Sequence, residues 1–553
     1  MRKLYTPLLT TFLCLLAAAG SAQDGNRFLD ARFGVEGPTQ AIYGRNYSLL
    51  GPAGTPDTIP LVMDIYQPAG DETDTERPVV CIFPTGNFLP KYFNGGAYGD
   101  RTDSVNVELA RRFARRGFVA IVASYRLGWR PTATEQFIRT GSLLRAVYRA
   151  SQDAHNLVRY LRFTVDQQDN PLNIDTDRIV MFGVGSGGYV VAAHNFLDNV
   201  DQIAQNEQFY DPEFNLLVDS TVISTPDGLF PASEHIVNYP GYSSDVALTV
   251  NLGGALGDTL WIDGEDNEAP TISIHSATDP FAPFYRGTVV VPTDPPMRVV
   301  DVQGSNLMVQ IANELGINDV LAPANEVATL PAMFGPLARI VNARIAAFSQ
   351  VQFQSPIPTN TRDVFQLGRP NLLTVLRTAP PQVGLSGATT GVWNWFNEAR
   401  LRAEVAAINA AVPTANLSAD RIVAGEDQTN PNRSNPARAK ANIDTIMAFV
   451  LPRAFFALEL GDVLAGTEDL LDAGAVGLSV APNPAADHFT VRTAAGFPIR
   501  EVSLFDLNGR LVRQRTAVDQ TSLRFDRGEL PNGTYFVRIR VDEGVVAQQL
   551  FLH

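Results

Sequence analysis

Cysteine is almost missing from this 553-residue sequence. Cys14 lies in an amino-terminal apolar run, which leaves Cys81 alone in the remainder. An internal disulfide is thereby excluded, and Cys81 in "PVVCIFP" reads as a buried strand thiol. Histidine is scarce as well, with six in the chain. No histidine or cysteine cluster has the spacing of a metal site, so neither a metal nor a cofactor is expected. Positive charge is also in deficit: 43 Lys and Arg against 58 Asp and Glu give a formal charge of −15. Without a basic stripe to release phosphate counterions, a nucleic-acid partner is excluded. Long apolar runs are absent beyond the first residues, so a soluble mature protein is expected.

The first 22 residues have the order of a secretory signal. Arg2 and Lys3 precede "LLTTFLCLLAAAG", and the small residues Gly20, Ser21 and Ala22 follow. The apolar run is short for a membrane span. Leu13 before Cys14 is too large for the small-residue site of lipoprotein processing, so export with cleavage is expected.

Residues 58–200 alternate strand and helix patterns. "TIPLVMDIYQP" alternates, "RPVVCIFP" and "VAIVASYR" are continuous apolar strands, and "VNVELARRFARRGF" is an amphipathic helix. "GSLLRAVYRASQDAHNLVRYLR" is a long helix, followed by strand "RIVMFGV" and helix "GYVVAAHNFL". Parallel neighbours need crossover connections, so this order predicts a mostly parallel sheet with helices on both faces, an α/β fold.

The last 75 or so residues change character. "LSVAPNPAADHFTVRTA", "IREVSLFDLNGRLVRQR" and "TSLRFDRGELPNGTYFVRIRV" are short alternating strands broken by Asn-Pro, Asn-Gly and Pro-Asn-Gly turns, the pattern of a small β-sandwich. "APNPAADHFTV", "LFDLNGRLV" and "LPNGTYFVRI" resemble the carboxy-terminal sorting domain with which Bacteroidetes proteins enter type IX secretion. The resemblance implies passage through the periplasm and outer membrane, the type IX machinery as partner, removal of this domain, and a product that is secreted or held at the cell surface. A carbohydrate-binding or adhesive module is the other reading of such a sandwich.

"SYRLG", "RASQDAHNLVRYLR", "DTDRIVMFG" and "SGGYVVA" resemble the strand, helix and nucleophile-elbow segments of α/β-hydrolases, carboxylesterases in particular. The likeness runs over about residues 40–285 and returns at 435–457, which is similar to the family's final helix. It implies an α/β-hydrolase fold and a site of serine nucleophile, acid, histidine and oxyanion amides. The G-x-S-x-G pattern falls on Gly183, Val184, Gly185, Ser186 and Gly187, with Gly185 in the nucleophile's place. A register slipped by one makes Ser186 the nucleophile, with Val184 crowding the turn. Asp279 in "TISIHSATDPFAPF" matches the acid, although an Asp before Pro also caps turns.

In this family the base follows the acid, yet no histidine lies between His275 and His488, and His488 and His553 belong to the tail. His155, His194 and His275 read as structural, and His235, in a loop, is the one displaced base to consider. The oxyanion loop corresponds to "FPTGNFLPKYFNGGAYGD", where Thr85 replaces the family's histidine. Gly86 and Asn87, with Ser186 and Gly187, would line the pocket. A protein of this family without nucleophile and base is expected to be a pseudoenzyme or binding protein; the alternative is an active carboxylesterase using Ser186 and Asp279.

Between about 285 and 434, "LMVQIANELGIND", "AMFGPLARIVNARIAAFSQVQF" and "NEARLRAEVAAINAAV" have helical period, predicting a helical cap inserted in a body of residues 23–460. A linker at 461–475 and the sorting domain at 476–553 complete the division. Trp393 and Trp395 would stack on a sugar or acyl group of a small ester or carbohydrate ligand, or anchor the cap. "DGEDNE" at 263–268 lacks the length and terminal glutamate of an EF-hand and reads as a solvated turn.

Overall fold

The computed structural model describes residues 26–553 except 49, 51–56, 74–75, 294, 328–329, 348–349, 355–361, 367, 376–388, 462–470, 472, 475, 507–510, 529 and 543. The expected signal segment, and most of the expected linker, lie outside the described residues. The chain forms two compact units, residues 1–325 with 341–458, and residues 326–340 with 459–553.

The first unit is built on eight strands: β1 (Gly34–Ser48), β2 (Asp57–Ala69), β3 (Arg77–Phe83), β4 (Val119–Ala123), β5 (Ile174–Val184), β6 (Leu248–Leu252), β7 (Thr271–Ser276) and β8 (Leu372–Val375). They lie in the order β1-β2-β4-β3-β5-β6-β7-β8. β1 with β2 and β2 with β4 pair antiparallel; every later pair is parallel. The alternating β2 and the continuous apolar β3 and β4 are where the sequence pattern puts them, and helices supply the crossovers: α1 (Ser104–Ala114), α2 (Gln136–Gln167) and α3 (Ser186–Phe196).

Side-chain alternation divides the core between the two sheet faces. Val79, Cys81, Val119, Ile121, Ile179 and Met181 join α2 and α3 in one cluster, including Leu157, Val158, Val190 and Val191. Phe182 points the other way, edge-on to Phe113 of α1 with ring centroids 6.2 Å apart. Cys81 is fully buried, and burial pushes its thiol pKa up, which makes it inert.

The "SYRLG" and "RASQDAHN" segments meet in a buried ion pair. Arg126 Nε donates to Asp153 Oδ1 at 2.9 Å, and the Arg126 amide donates to Asp153 Oδ2 at 2.7 Å. This fixes the end of β4 against the middle of α2.

The expected insertion at about 285–434 holds more than helices. It contains α4 (Ser305–Glu314), α5 (Glu398–Ala411) and α6 (Ala419–Thr429), but also strand β8 of the main sheet. Met297–Gly304 pairs antiparallel with Arg286–Val291, and Gln350–Gln354 with Arg362–Gln366. The helical period read through "SQVQF" therefore stops short, because that segment finds a cross-strand partner. Helix α7 (Pro436–Ala457) closes the unit, tied to α1 by Arg112–Asp444 and Lys440–Glu108 ion pairs. Its Arg453 is buried and donates to the side-chain carbonyls of Asn371, Asn325 and Asn342. Burial lowers its pKa to about 9.

In the second unit, β9 (Ser479–Ala481), β10 (His488–Arg492) and β13 (Ser522–Asp526) form one sheet. A second is built from β11 (Ile499–Asp506), β12 (Leu511–Gln520), β14 (Gly533–Val541) and β15 (Gly544–Leu552). Phe489, Val502, Leu504, Val537, Ile539 and Leu550 fill the space between them.

Candidate functional site

Strand β5 ends in a sharp turn at Gly185, whose φ of 56° and ψ of −118° belong to a region that L-residues occupy under strain. Ser186, the next residue, is already the first of α3. The neighbouring glycines are demanded by backbone approach. A Cβ on Gly183 would lie 2.2 Å from Gly187 O, and one on Gly187 2.1 Å from Phe83 O. Gly185 differs, because a Cβ there would meet a side chain, Thr85 Oγ1 at 2.2 Å and Thr85 Cβ at 2.7 Å.

The groups around the turn are hydrogen-bonded to one another. The Asn87 amide donates to Ser186 Oγ at 3.0 Å, the Ser186 amide to Thr85 Oγ1 at 3.4 Å, and Tyr125 OH stands 3.4 Å from Ser186 Oγ. Tyr125 also donates to Pro84 O at 2.8 Å, and burial raises its pKa, so it stays a neutral phenol. The loop after β3 is held open by positive φ at Gly86, Asn87 and Phe88, and Trp129 Nε1 donates to Asn87 O at 2.8 Å.

The other sequence candidates are placed elsewhere. Asp279 is buried after β7, where Oδ1 accepts from the Phe281 amide at 2.8 Å and the Ala282 amide at 3.0 Å, the turn-capping geometry of an Asp before Pro. Burial raises its pKa to about 6, against hydrogen bonds from Thr390 and the two amides. His235 is committed to Gly228 O at 2.8 Å through Nε2 and to Asn46 Nδ2 at 3.4 Å through Nδ1. Asn46 belongs to β1, four strand positions from β5, so the structure does not bring His235 to Ser186.

His275 lies within β7 with Nδ1 2.7 Å from Ser305 Oγ and Nε2 3.0 Å from Ala282 O, and burial lowers its pKa to about 4. Ser305 in turn accepts from Asn251 Nδ2 at 3.0 Å, so His275 links β6, β7 and the start of α4. Trp393 is buried, 3.6 Å from where a Cβ on Gly253 would stand, and Trp395 carries Lys440 over its ring at 5.7 Å. The Asp263–Glu268 segment closes on itself, with Glu268 accepting from the Asp263 and Gly264 amides at 3.1 and 2.7 Å.

Sequence reading missed the role of Thr85. Its replacement of a histidine was visible, but its filling of the space beside Gly185 depends on how the loop folds back over the elbow.

An eight-stranded sheet in this order, with a strained turn between β5 and α3 at its carboxyl end, is the α/β-hydrolase fold. Residues 479–553 match the model of the Secretion system C-terminal sorting domain, which marks the chain for secretion or the cell surface. Among the described residues no helix is long and apolar enough to cross a membrane.

Solved structures similar to this chain include esterases and an alpha/beta hydrolase enzyme. The propionate-bound esterase 2 of the planctomycete Thermogutta terrifontis is 18% identical at TM-score 0.25, over 45% of this chain and 75% of that one. Its apo form gives 18% and 0.24 over 45% and 75%. MGS-M1, an alpha/beta hydrolase enzyme from a Medee basin deep-sea metagenome library, gives 13% and 0.24 over 45% and 72%. Strand order and the strained elbow define the fold. No curated protein matches the chain.

Proposed function

We infer that this is an exported α/β-hydrolase-fold protein, body 23–460 and sorting domain 476–553, that has lost serine-hydrolase catalysis and serves as a binding protein. One observation carries the reading: the Thr85 side chain fills the volume into which a nucleophile on residue 185 would project. Thr85 Oγ1 and Ser186 Oγ also take the Ser186 and Asn87 amides, the two donors that an oxyanion would need. No described histidine hydrogen-bonds to Ser186, and Asp279 orients none. The ligand class in keeping with the fold is a small ester or a carbohydrate.

The competing reading makes Ser186 the nucleophile and Asp279 the acid. In its favour, Ser186 carries a hydroxyl at the elbow and has Tyr125 OH 3.4 Å away. It needs a base, and Tyr125 is held neutral by burial.

Ester turnover and fluorophosphonate labelling of the full chain, beside a Ser186→Ala variant, separate the two. The expected outcome is background hydrolysis and no label in either. Turnover and label that disappear with Ser186→Ala establish the esterase and overturn the binding reading.

A further inference from the structure

Away from the elbow, a cavity of about 210 Å³ is lined by His155, His194, Asp198 and Asp245, among others. His155 comes from the middle of α2 and His194 from the ninth position of α3, about 12 Å along that helix from Ser186 at 1.5 Å per residue. Asp198 follows α3, and Ser244 and Asp245 precede β6, so the cavity sits towards the sheet's amino-terminal end.

Both histidines are more than nine-tenths buried, with 8% and 6% exposure. Their rings lie against each other, tilted by 31° with centroids 4.1 Å apart. His155 Nδ1 lies 2.8 Å from Ser244 Oγ, while its Nε2 and both ring nitrogens of His194 are buried without a hydrogen-bond partner. Asp198 Oδ1 accepts from Asn267 Nδ2 at 2.7 Å, and its Oδ2 is buried and unpartnered. Buried polar atoms left unpaired are destabilising, so this cluster favours a bound partner.

We propose that His155 Nε2, His194 and Asp198 form a binding site for a divalent transition metal, Zn²⁺ by ligand preference, with Asp245 at its rim. Two imidazoles and a carboxylate are a zinc donor set. Nitrogens bound at about 2.0–2.1 Å and the tetrahedral angle stand about 3.4 Å apart, so the two adjoining rings must turn to direct both in-plane lone pairs at one ion. Ser244, accepting the His155 Nδ1 proton, leaves Nε2 with its lone pair free, the hydrogen bond by which metal-bound histidines are oriented.

The nearby cations are Arg159, which donates to Asp227 O, and Arg162, which donates to Ser243 O and Asp245 O; the carboxylates of Asp198, Asp227 and Asp245 outnumber them. The proposed ligand atoms must be drawn together by side-chain rotation, since the triplet whose ligand atoms already lie within 4.8 Å of one another is Asp198 with Asp263 and Glu265. Nothing in this proposal depends on whether the elbow is catalytic.

Titration calorimetry with Zn²⁺ on the full chain without a polyhistidine tag is expected to give one site per chain, with Mg²⁺ inert. His155→Gln and His194→Gln each weaken Zn²⁺ binding by about 10–100-fold or more, and Ser244→Ala by about 10-fold. Asp263→Asn with Glu265→Gln leaves it unchanged. Far-ultraviolet circular dichroism checks that each variant folds, and the visible spectrum of the Co²⁺ complex, strong for four-coordinate nitrogen and oxygen ligation, reads the site without any substitution. Failure of the unsubstituted chain to bind Zn²⁺ overturns the proposal. So does a weak six-coordinate Co²⁺ spectrum, or Zn²⁺ binding that survives loss of both histidines and disappears with Asp263→Asn and Glu265→Gln.

Discussion

The two ends of the central sheet treat polar groups in opposite ways. At the elbow, the Asn87 and Ser186 amides and the Tyr125 hydroxyl are hydrogen-bonded to Ser186 Oγ, Thr85 Oγ1 and Pro84 O. At the other end, His155, His194 and Asp198 keep buried atoms without partners around a cavity. A polar group that is internally satisfied has its binding capacity spent, while one left unpaired waits for something to bind. The end that resembles a catalytic site thus has its polar groups engaged with one another, and the opposite end does not.

The largest expected effect is at the elbow. Gly185→Ala is expected to destabilise the chain by about 2–5 kcal/mol, through positive φ and the collision with Thr85. Adding Thr85→Gly should recover about 1–3 kcal/mol in a double-mutant cycle measured by urea unfolding. Gly188→Ala, which collides with Asn251 Oδ1 and the Gly254 backbone, should not be rescued by the same change. Equal rescue of both would mean that Thr85 does not specifically fill the slot.

The next effect concerns Asp279. Its pKa is about 6 folded against 3.8 as an ordinary carboxyl, so below pH 3.8 both states are protonated and no cost arises. Between pH 3.8 and 6 the unfolded chain gives up this proton while the folded state keeps it, so stability falls, levelling off at a loss of about 3 kcal/mol above pH 6. Asp279→Asn should therefore be more stable than the parent by up to about 3 kcal/mol at pH 7, with the gap closing towards pH 4 in chemical melts. A variant less stable at pH 7 would show that the carboxylate is stabilised by a group not yet recognised.

The smallest effects compare the two ends directly. Ser186→Ala should cost about 0.5–1.5 kcal/mol, because it removes the acceptor of the Asn87 amide. His194→Leu should gain up to about 1 kcal/mol in metal-free buffer by removing unpaired nitrogens. Opposite signs in thermal unfolding sharpen the contrast, and a shared sign would dissolve it.

Much of the sheet was legible because β2 to β5 carry their period openly, and the tail because its turns are spelled out in Asn-Gly and Asn-Pro. Strand β8 was not, since "LLTV" is four residues among Pro- and Asn-rich sequence, and its neighbour β7 lies about a hundred residues earlier. The pairing of Met297–Gly304 with Arg286–Val291 was missed for a similar reason: two short apolar runs inside a stretch read for helices. At the elbow, the sequence register put Gly185 at the turn, and the positive φ falls there. The pairing of His155 with His194 is set by how α2 packs on α3, and no spacing along the chain encodes it.

Arg453 bears on how the chain can be dissected. Its guanidinium is held by Asn325, Asn342 and Asn371, contributed from three separated stretches of the insertion. A truncated form that deletes any of these stretches but keeps α7 would leave a buried cation short of acceptors, and one that deletes α7 would leave three asparagine carbonyls facing a void. Trimming towards a minimal body must therefore move these four residues together, which makes the insertion and the final helix a single engineering unit.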